Sequence, residues 1–240
     1  MNQSFWKNKK ILITGHTGFK GSWLTVWLKK LGADITGFSK SVPTNPSLFE
    51  TVNIEKDVKS VVGNIKNYEL LKETISKCEP EIIFHMAAQS LVIKSYSNPI
   101  ETFSTNVMGT VNLLYAVKET KKPKVVINIT SDKCYENNES LGGYTEDDPM
   151  GGHDPYSSSK GCAELITKSF RKSFFSSDHE NNIGLASVRA GNVIGGGDWA
   201  ENRLIPDIIR AIKNKENVKI RNPNALRPWQ HVLDPLNGYI

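Results

Sequence analysis

Cysteine is scarce in this chain. Cys78, Cys134 and Cys162 are too widely spaced for a disulfide framework, and without a Cys-x-x-Cys pair they argue against a zinc site. No apolar run reaches membrane-spanning length, and the opening residues Met1 to Lys7 hold no apolar signal core, so a cytoplasmic protein with no membrane partner is expected. Blocks of like charge are also missing. The 30 Lys and Arg are intermixed with 25 Asp and Glu, so the net charge of +5 forms no basic stripe for nucleic acid and suits anionic small molecules equally well. No internal repeat or low-complexity segment interrupts the chain. What remains is an ordinary globular composition, 38% hydrophobic and 23% charged, over 240 residues: one large domain with a full core, or a domain plus a lobe.

The most informative stretch is Lys10-Ile-Leu-Ile-Thr-Gly15-His-Thr-Gly18-Phe-Lys-Gly21, followed by the apolar-periodic Trp23 to Leu28. It reads as strand, glycine turn and helix. Glycines allow close backbone approach to a pyrophosphate, and the first helical turn aims free N–H groups and a positive dipole end at it. The spacing, Gly-x-x-Gly-x-x-Gly, is one residue longer than the usual dinucleotide fingerprint, and by itself it also fits a turn without a ligand.

Strand and helix patterns then alternate, which predicts an α/β protein with a doubly wound parallel sheet. A second strand, Ala33 to Phe38, ends at Ser39-Lys40, with no carboxylate for the adenosine ribose. Ser39 can hydrogen-bond a ribose and Lys40 can favour a 2′-phosphate, so these residues leave NAD and NADP open. Ser41 to Glu50 reads as a loop, Asp57 to Val62 as a strand ending at Gly63-Asn64-Ile65, and Leu70 to Ser76 as a helix. Glu81 to His85 is a buried strand running into Ala87-Ala88-Gln89, small residues that suit either a cofactor lying on the backbone or close helix packing.

Asn98 to Lys118 is predicted as one long helix containing Asn106, and Lys124 to Thr130 as a strand with Ser131-Asp132-Lys133 at its carboxyl end, the ligand-binding edge of open α/β sheets. Pro155 starts the next helix, which puts Tyr156 and Lys160 on one face. Ile183 to Arg189 is a further strand, leading into the glycine-rich loop Ala190 to Trp199. Residues 1–190 are expected to form the dinucleotide-binding domain, and 191–240 part of a small, apparently truncated substrate lobe that ends barely two turns into a helix.

Gly15-x-x-Gly18-x-x-Gly21, Ala87-Ala88, Asn106 and Tyr156-x-x-x-Lys160, in this order, resemble the extended short-chain dehydrogenase/reductase family. Gly15 to Trp23, Thr130 to Tyr135, Arg189 to Trp199 and Arg227-Pro-Trp-Gln-His-Val232 are similar to the branch that dehydrates CDP-linked glucose in bacterial deoxysugar and O-antigen synthesis. The likeness covers essentially the whole chain, and the carboxyl-terminal part of that branch is absent.

The resemblance implies a Rossmann fold, bound NAD and a redox-neutral 4,6-dehydration of CDP-glucose. Tyr156 would take the proton of the sugar's 4-hydroxyl, with Lys160 supplying the cation a phenol needs to act as base near neutral pH. Ser131 would bond the 4-oxygen, Lys133 would be the base at C5, and Asp132 the acid at C6. Lys133 stands where related dTDP-sugar enzymes carry glutamate.

Gly15, Thr17, Gly18, Phe19, Gly21, Ser39, Asn64, Ile65, Ala87, Ala88, Gln89, Asn106, Thr130, Tyr156 and Lys160 would hold the cofactor; Asn192, Arg227 and Trp229 would hold the nucleotide sugar. His16 and Lys20 depart from the small and apolar residues usual in the glycine loop, which suggests weaker cofactor binding. Helices Asn98 to Lys118 and Pro155 to Lys172 would form the interface of a homodimer or dimer of dimers. An epimerase or reductase on the same scaffold, or a non-catalytic cofactor-binding fragment, are the alternative readings.

Overall fold

The computed structural model describes residues 3–137, 142–176 and 182–240; Met1 and Asn2 of the opening stretch lie outside the described residues. Six parallel strands form the central sheet: β1 (Lys10–Thr14), β2 (Asp34–Ser39), β3 (Lys59–Val62), β4 (Ile82–His85), β5 (Val125–Ile129) and β6 (Gly184–Val188), in the order β3-β2-β1-β4-β5-β6. The order reverses between β1 and β4, the topological switch point at which Rossmann sheets open a crevice beyond their carboxyl ends. Ligand-binding loops therefore follow β1, β4 and β5.

Covered on both faces, the central strands are apolar at successive positions. Ile11 and Ile13 of β1 join one core cluster with Leu24, Leu28 and Phe84, while Leu12 faces the other way among Phe38, Leu71, Ile83 and Val126. Helices supply the outer layers: α1 (Gln3–Trp6) ahead of the first strand, then α2 (Phe19–Lys30), the short α3 (Leu48–Thr51) at the end of the expected loop, and α4 (Tyr68–Cys78).

The expected long helix is composite. After α5 (Val92–Ser97), which the sequence pattern did not mark, come α6 (Pro99–Phe103), a π-helical turn at Ser104–Met108 and α7 (Gly109–Thr120). The wide turn carries Asn106 inward, where its amide donates to Gln89 O (3.0 Å) and Ser159 Oγ (2.8 Å) and accepts from the Gln89 N–H (2.8 Å).

Helix α8 (Pro155–Phe174) begins as its sequence signals. The Asp154 carboxylate accepts from the Ser157 N–H at 3.0 Å, with proline in the first turn. Its buried face runs Tyr156, Ser159, Lys160, Ala163, Glu164, Thr167, the three-and-four spacing of one helical stripe with polar residues among the buried ones.

Beyond β6 the expected glycine loop contains β7 (Asn192–Ile194), which pairs in parallel with β8 (Trp229–His231) as a separate two-stranded sheet. Helix α9 (Leu204–Asn214) also went unmarked. Its Pro206 sits in the first turn, where a missing N–H removes no helical bond. In α10 (Leu233–Tyr239), Leu236 and Tyr239, with Val232 just before, join the core of Ile11 and Leu24, so the end of the chain seats against the first crossover.

Candidate active site

At the end of β1 the chain is made to fit a phosphate. Gly15 has φ +78°, and a Cβ there would stand 2.7 Å from the Ala87 nitrogen; one on Gly21 would stand 2.1 Å from the Gly15 oxygen. The loop after β1 thus lies on the loop after β4 on one side and on the first turn of α2 on the other, with no room for side chains. The first α2 bond runs from the Ser22 N–H to Gly18 O, and Gly18 provides no side-chain cap. The amides of Phe19, Lys20 and Gly21 precede that bond and point out of the helix end. This concave backbone with free donors fits the pyrophosphate of a dinucleotide.

The end of β2 is less open. Ser39 is buried, its Oγ engaged by His16 Nδ1 (2.9 Å) and the Thr17 amide (3.4 Å), while Lys40 is exposed and 4.0 Å from Glu101. The Thr17 hydroxyl donates to Ser41 O at 2.8 Å. Asn64 is half-buried, whereas Ile65 turns into the core against Gly109. Half-buried Ala87, Ala88 and Gln89 follow β4, with Gln89 fixed through Asn106 and Thr102.

Side chains build the facing half. Ser131, Asp132 and Lys133 enter a short 3₁₀ turn after β5: the Lys133 N–H donates to Ser131 Oγ, that hydroxyl donates to Asp132 at 2.9 Å, and the Asp132 N–H reaches Ala190 O beyond β6. Tyr156 is buried with its phenol hydrogen-bonding Ser131. Burial pushes its pKa up, opposed by the Ser131 bond and by the positive charge of Arg203.

Lys160 is buried one turn along the helix and donates to Ile129 O at 3.2 Å; burial pulls its pKa from 10.5 down to about 8, with the Glu164 carboxylate acting the other way. The Thr130 hydroxyl points inward to Glu164 and Val188 O, so only its backbone faces the crevice. Tyr156, Lys160, Ser131 and Asp132 thus meet at one strand end. Asn192 lies half-buried on β7, whereas Arg227 and Trp229 are exposed, with Arg227 bonded to the neighbouring Leu226 carbonyl.

Three further residues border the site: His16 and Lys20, which stood out in the glycine loop, and Arg203, which the sequence did not mark. His16 is fully buried, bonded on both nitrogens to Ser39 and Ser60, and burial lowers its pKa to about 4, so it is neutral. Gly37 makes room for it, since a Cβ there would come within 2.3 Å of the ring; a glycine inside β2 was the available clue. Lys20 donates to the Tyr239 hydroxyl at 3.3 Å and feels Lys160, Arg203 and Asp132. Burial first, then the two cations, lowers its pKa to about 8. Arg203 pairs with Asp198 at 3.0 Å and bonds Ser90 beside the Gln89 loop.

A glycine cradle at the switch point, facing a Tyr-x-x-x-Lys helix and an inward asparagine, defines the class as the extended short-chain dehydrogenases/reductases. The chain belongs to the sugar-nucleotide dehydratase family within that class, whose model, described as GDP-mannose 4,6 dehydratase, matches residues 12–240. It is 57% identical to the CDP-glucose 4,6-dehydratase of Salmonella typhimurium over 100% of this chain and 67% of that enzyme.

To the dTDP-D-glucose 4,6-dehydratase of Dictyostelium discoideum it is 30% identical, over 96% of this chain and 54% of the relative. Among solved structures, the dTDP-glucose 4,6-dehydratase of Bacillus anthracis in complex with NAD superposes with a TM-score of 0.80 at 26% identity, over 95% of this chain and 69% of that one. The chain therefore spans between about half and about two thirds of these relatives.

Proposed function

We propose that the chain carries the machinery for NAD-dependent 4,6-dehydration of CDP-glucose to CDP-4-keto-6-deoxyglucose, a step of bacterial deoxysugar and O-antigen synthesis. The observation that carries this reading is the meeting of Tyr156 and Lys160 with the Ser131-Asp132-Lys133 turn at the carboxyl end of β5. An epimerase needs the tyrosine and lysine but has no use for an acid and a base at C6 and C5.

The Gly15–Gly21 cradle would hold NAD, which when bound would supply the reversible hydride acceptor that a redox-neutral exchange between C4 and C6 of the sugar requires. The protein's own groups move the protons. Tyr156 would accept the proton of the 4-hydroxyl, helped by Ser131 and Arg203, which favour the phenolate. With C4 a ketone, the C5 proton is acidic. Lys133 would remove it as the base at C5 while Asp132 delivers a proton to the departing 6-hydroxyl. Asn106, locked to Gln89 and Ser159, holds the π turn beneath Tyr156. Asn192 and Arg227 would meet the diphosphate, where a guanidinium fork suits two anionic groups, and Trp229 would line the sugar-nucleotide side.

Residues 191–240 would form part of the substrate lobe. Homodimerisation through the helices at 98–118 and 155–172 is supported by their exposed apolar side chains, Ile100, Phe103, Met108 and Leu165.

Incubation of the chain with CDP-glucose and NAD, followed by the alkali-induced absorbance of a 4-keto-6-deoxysugar, tests the reading. Product is expected from the parent. Lys133→Ala should form none while still enhancing NADH fluorescence. Unchanged turnover in that variant would remove Lys133 from the role of base, and NADH binding without product in the parent would leave a cofactor-binding fragment.

A further inference from the structure

Beneath the site lies a buried ion pair to which the mechanism above gives no role. Glu164 stands one turn after Lys160 on the same face of α8, and both side chains are almost wholly buried. The Glu164 carboxylate accepts from Arg189 Nε and Nη2, both at 2.9 Å, from Ser187 Oγ at 2.6 Å, and from the Thr130 hydroxyl. These donors come from two different strands: Thr130 directly follows β5, whereas Ser187 and Arg189 lie in and just after β6. Lys160 meanwhile donates to Ile129 O, the residue before Thr130. Two consecutive turns of α8 therefore grip the last residue of β5 and the one after it, at the end that delivers Ser131, Asp132 and Lys133. Arg189 extends the connection to the Tyr135 hydroxyl at 2.5 Å, on the far side of the same turn.

We propose that Glu164 is a positioning residue of the active site: clamped by Arg189, it holds α8 in register on the carboxyl ends of β5 and β6, so that Lys160 and Tyr156 face the Ser131-Asp132-Lys133 turn. The proposal rests on the functional reading above for its chemistry, but the clamp itself stands on the geometry of these contacts. A buried ion pair is weak evidence for stability, because desolvation offsets its attraction. Here each carboxylate oxygen meets a guanidinium nitrogen and a hydroxyl, an arrangement that fixes direction and distance.

The groups facing Lys160 determine what removal of Glu164 would do. They are Glu164 on its own helix, Lys20 on α2, His85 on β4 and Cys134 after β5. His85 is buried and neutral near pH 7, its pKa lowered by desolvation to about 3, and burial pushes the Cys134 thiol up to about 12, so it is neutral as well. Glu164 is then the one carboxylate in this group that holds the ammonium in place, against burial and against Lys20.

The test compares the parent chain with Glu164→Gln and with the charge-balanced Glu164→Gln/Arg189→Gln, labelled with trace acetic anhydride across neutral and alkaline pH and read at Lys160 by peptide mass spectrometry. The acylation midpoint of Lys160 is expected to fall by about one pH unit in Glu164→Gln, the effect of losing one nearby opposite charge. The double variant, which also removes the guanidinium that the single variant leaves without its carboxylate, should shift in the same direction and keeps the experiment readable if the single variant does not fold.

With CDP-glucose and NAD, the folded variant is expected to lose about tenfold in kcat with KM little changed. A Lys160 profile identical to that of the parent in a folded variant, or an unchanged kcat, overturns the proposal. If the parent itself makes no product, the functional reading fails while the labelling still decides the clamp.

Discussion

Where β1 turns into α2 the site is made of backbone; where β5 ends against α8 it is made of side chains. The first half works by having nothing in the way. Gly15 and Gly21 bring three chain segments closer than any Cβ permits, and the amides of Phe19, Lys20 and Gly21 are left over as donors. The second half works by burying groups that prefer water, Tyr156, Lys160 and Glu164, and satisfying each within the protein. The contrast separates two kinds of vulnerability. Addition of one atom should break the backbone half, whereas removal of the Lys160 charge from the side-chain half should disable the chemistry and leave the fold intact or firmer.

Gly21→Ala should have the largest effect. Its methyl would lie 2.1 Å from Gly15 O and 2.9 Å from His16 Cα, both backbone atoms that cannot swing aside. The expected loss is about 3 kcal/mol or more of stability, measured by urea unfolding, together with loss of NADH fluorescence enhancement. Gly196→Ala is the matched control. Nothing lies within 4 Å of a Cβ there, and its stability should stay within about 0.5 kcal/mol of the parent. Equal costs at the two positions would refute the view that close approach, and not glycine content, makes the cradle.

Lys160→Met is the next in size and opposite in sign. Burial lowers the folded-state pKa of Lys160 from 10.5 to about 8, so at pH 7 the fold carries the cost of a desolvated cation, on the order of 3 kcal/mol at 1.36 kcal/mol per pKa unit. Below about pH 8 both folded and unfolded chains are protonated and the full cost is present; as pH rises from there to 10.5 the folded amine is already neutral, and the cost fades. The variant should therefore melt above the parent at pH 7, lose that advantage through the alkaline range, and make no product. A lower melting temperature at pH 7 would mean that the Ile129 bond and the attraction of Glu164 outweigh desolvation.

The same division decides what was legible in the sequence. The glycine cradle and the Tyr156–Lys160 face are local patterns, fixed by spacing within one turn or helix, and the six-strand alternation follows from apolar runs of strand length. The contacts that went unread are made only by folding: Lys20 meets Tyr239, Arg203 meets Ser90, and Glu164 meets Arg189 across the ends of two strands. His16 was legible as an oddity in the loop, but its neutral, doubly bonded setting depends on Gly37 of the next strand and Ser60 of the one after. The β7–β8 pair escaped because each strand is three residues long and finds its partner more than thirty positions away.

Glu101 offers the smallest and most direct probe of how the two halves are joined. It stands on α6, beside the side-chain half, and reaches Lys66 at 2.5 Å and Lys40 at 4.0 Å on the backbone half. A hydrogen bond from Lys66 holds its carboxyl below the ordinary value. All three side chains are a third or more exposed, so solvent and salt screen the pairs. Glu101→Gln should cost less than about 1 kcal/mol at low salt and nothing measurable at high salt, read as the difference in urea midpoints. The weight of the junction falls instead on the β1–β4 ladder and on the buried bond between Thr14 Oγ1 and His85 Nδ1 at 2.8 Å, which no salt reaches. A salt-independent loss of several kcal/mol in Glu101→Gln would move that weight to the surface and make Lys40 and Lys66 part of the frame that aligns cradle and chemistry.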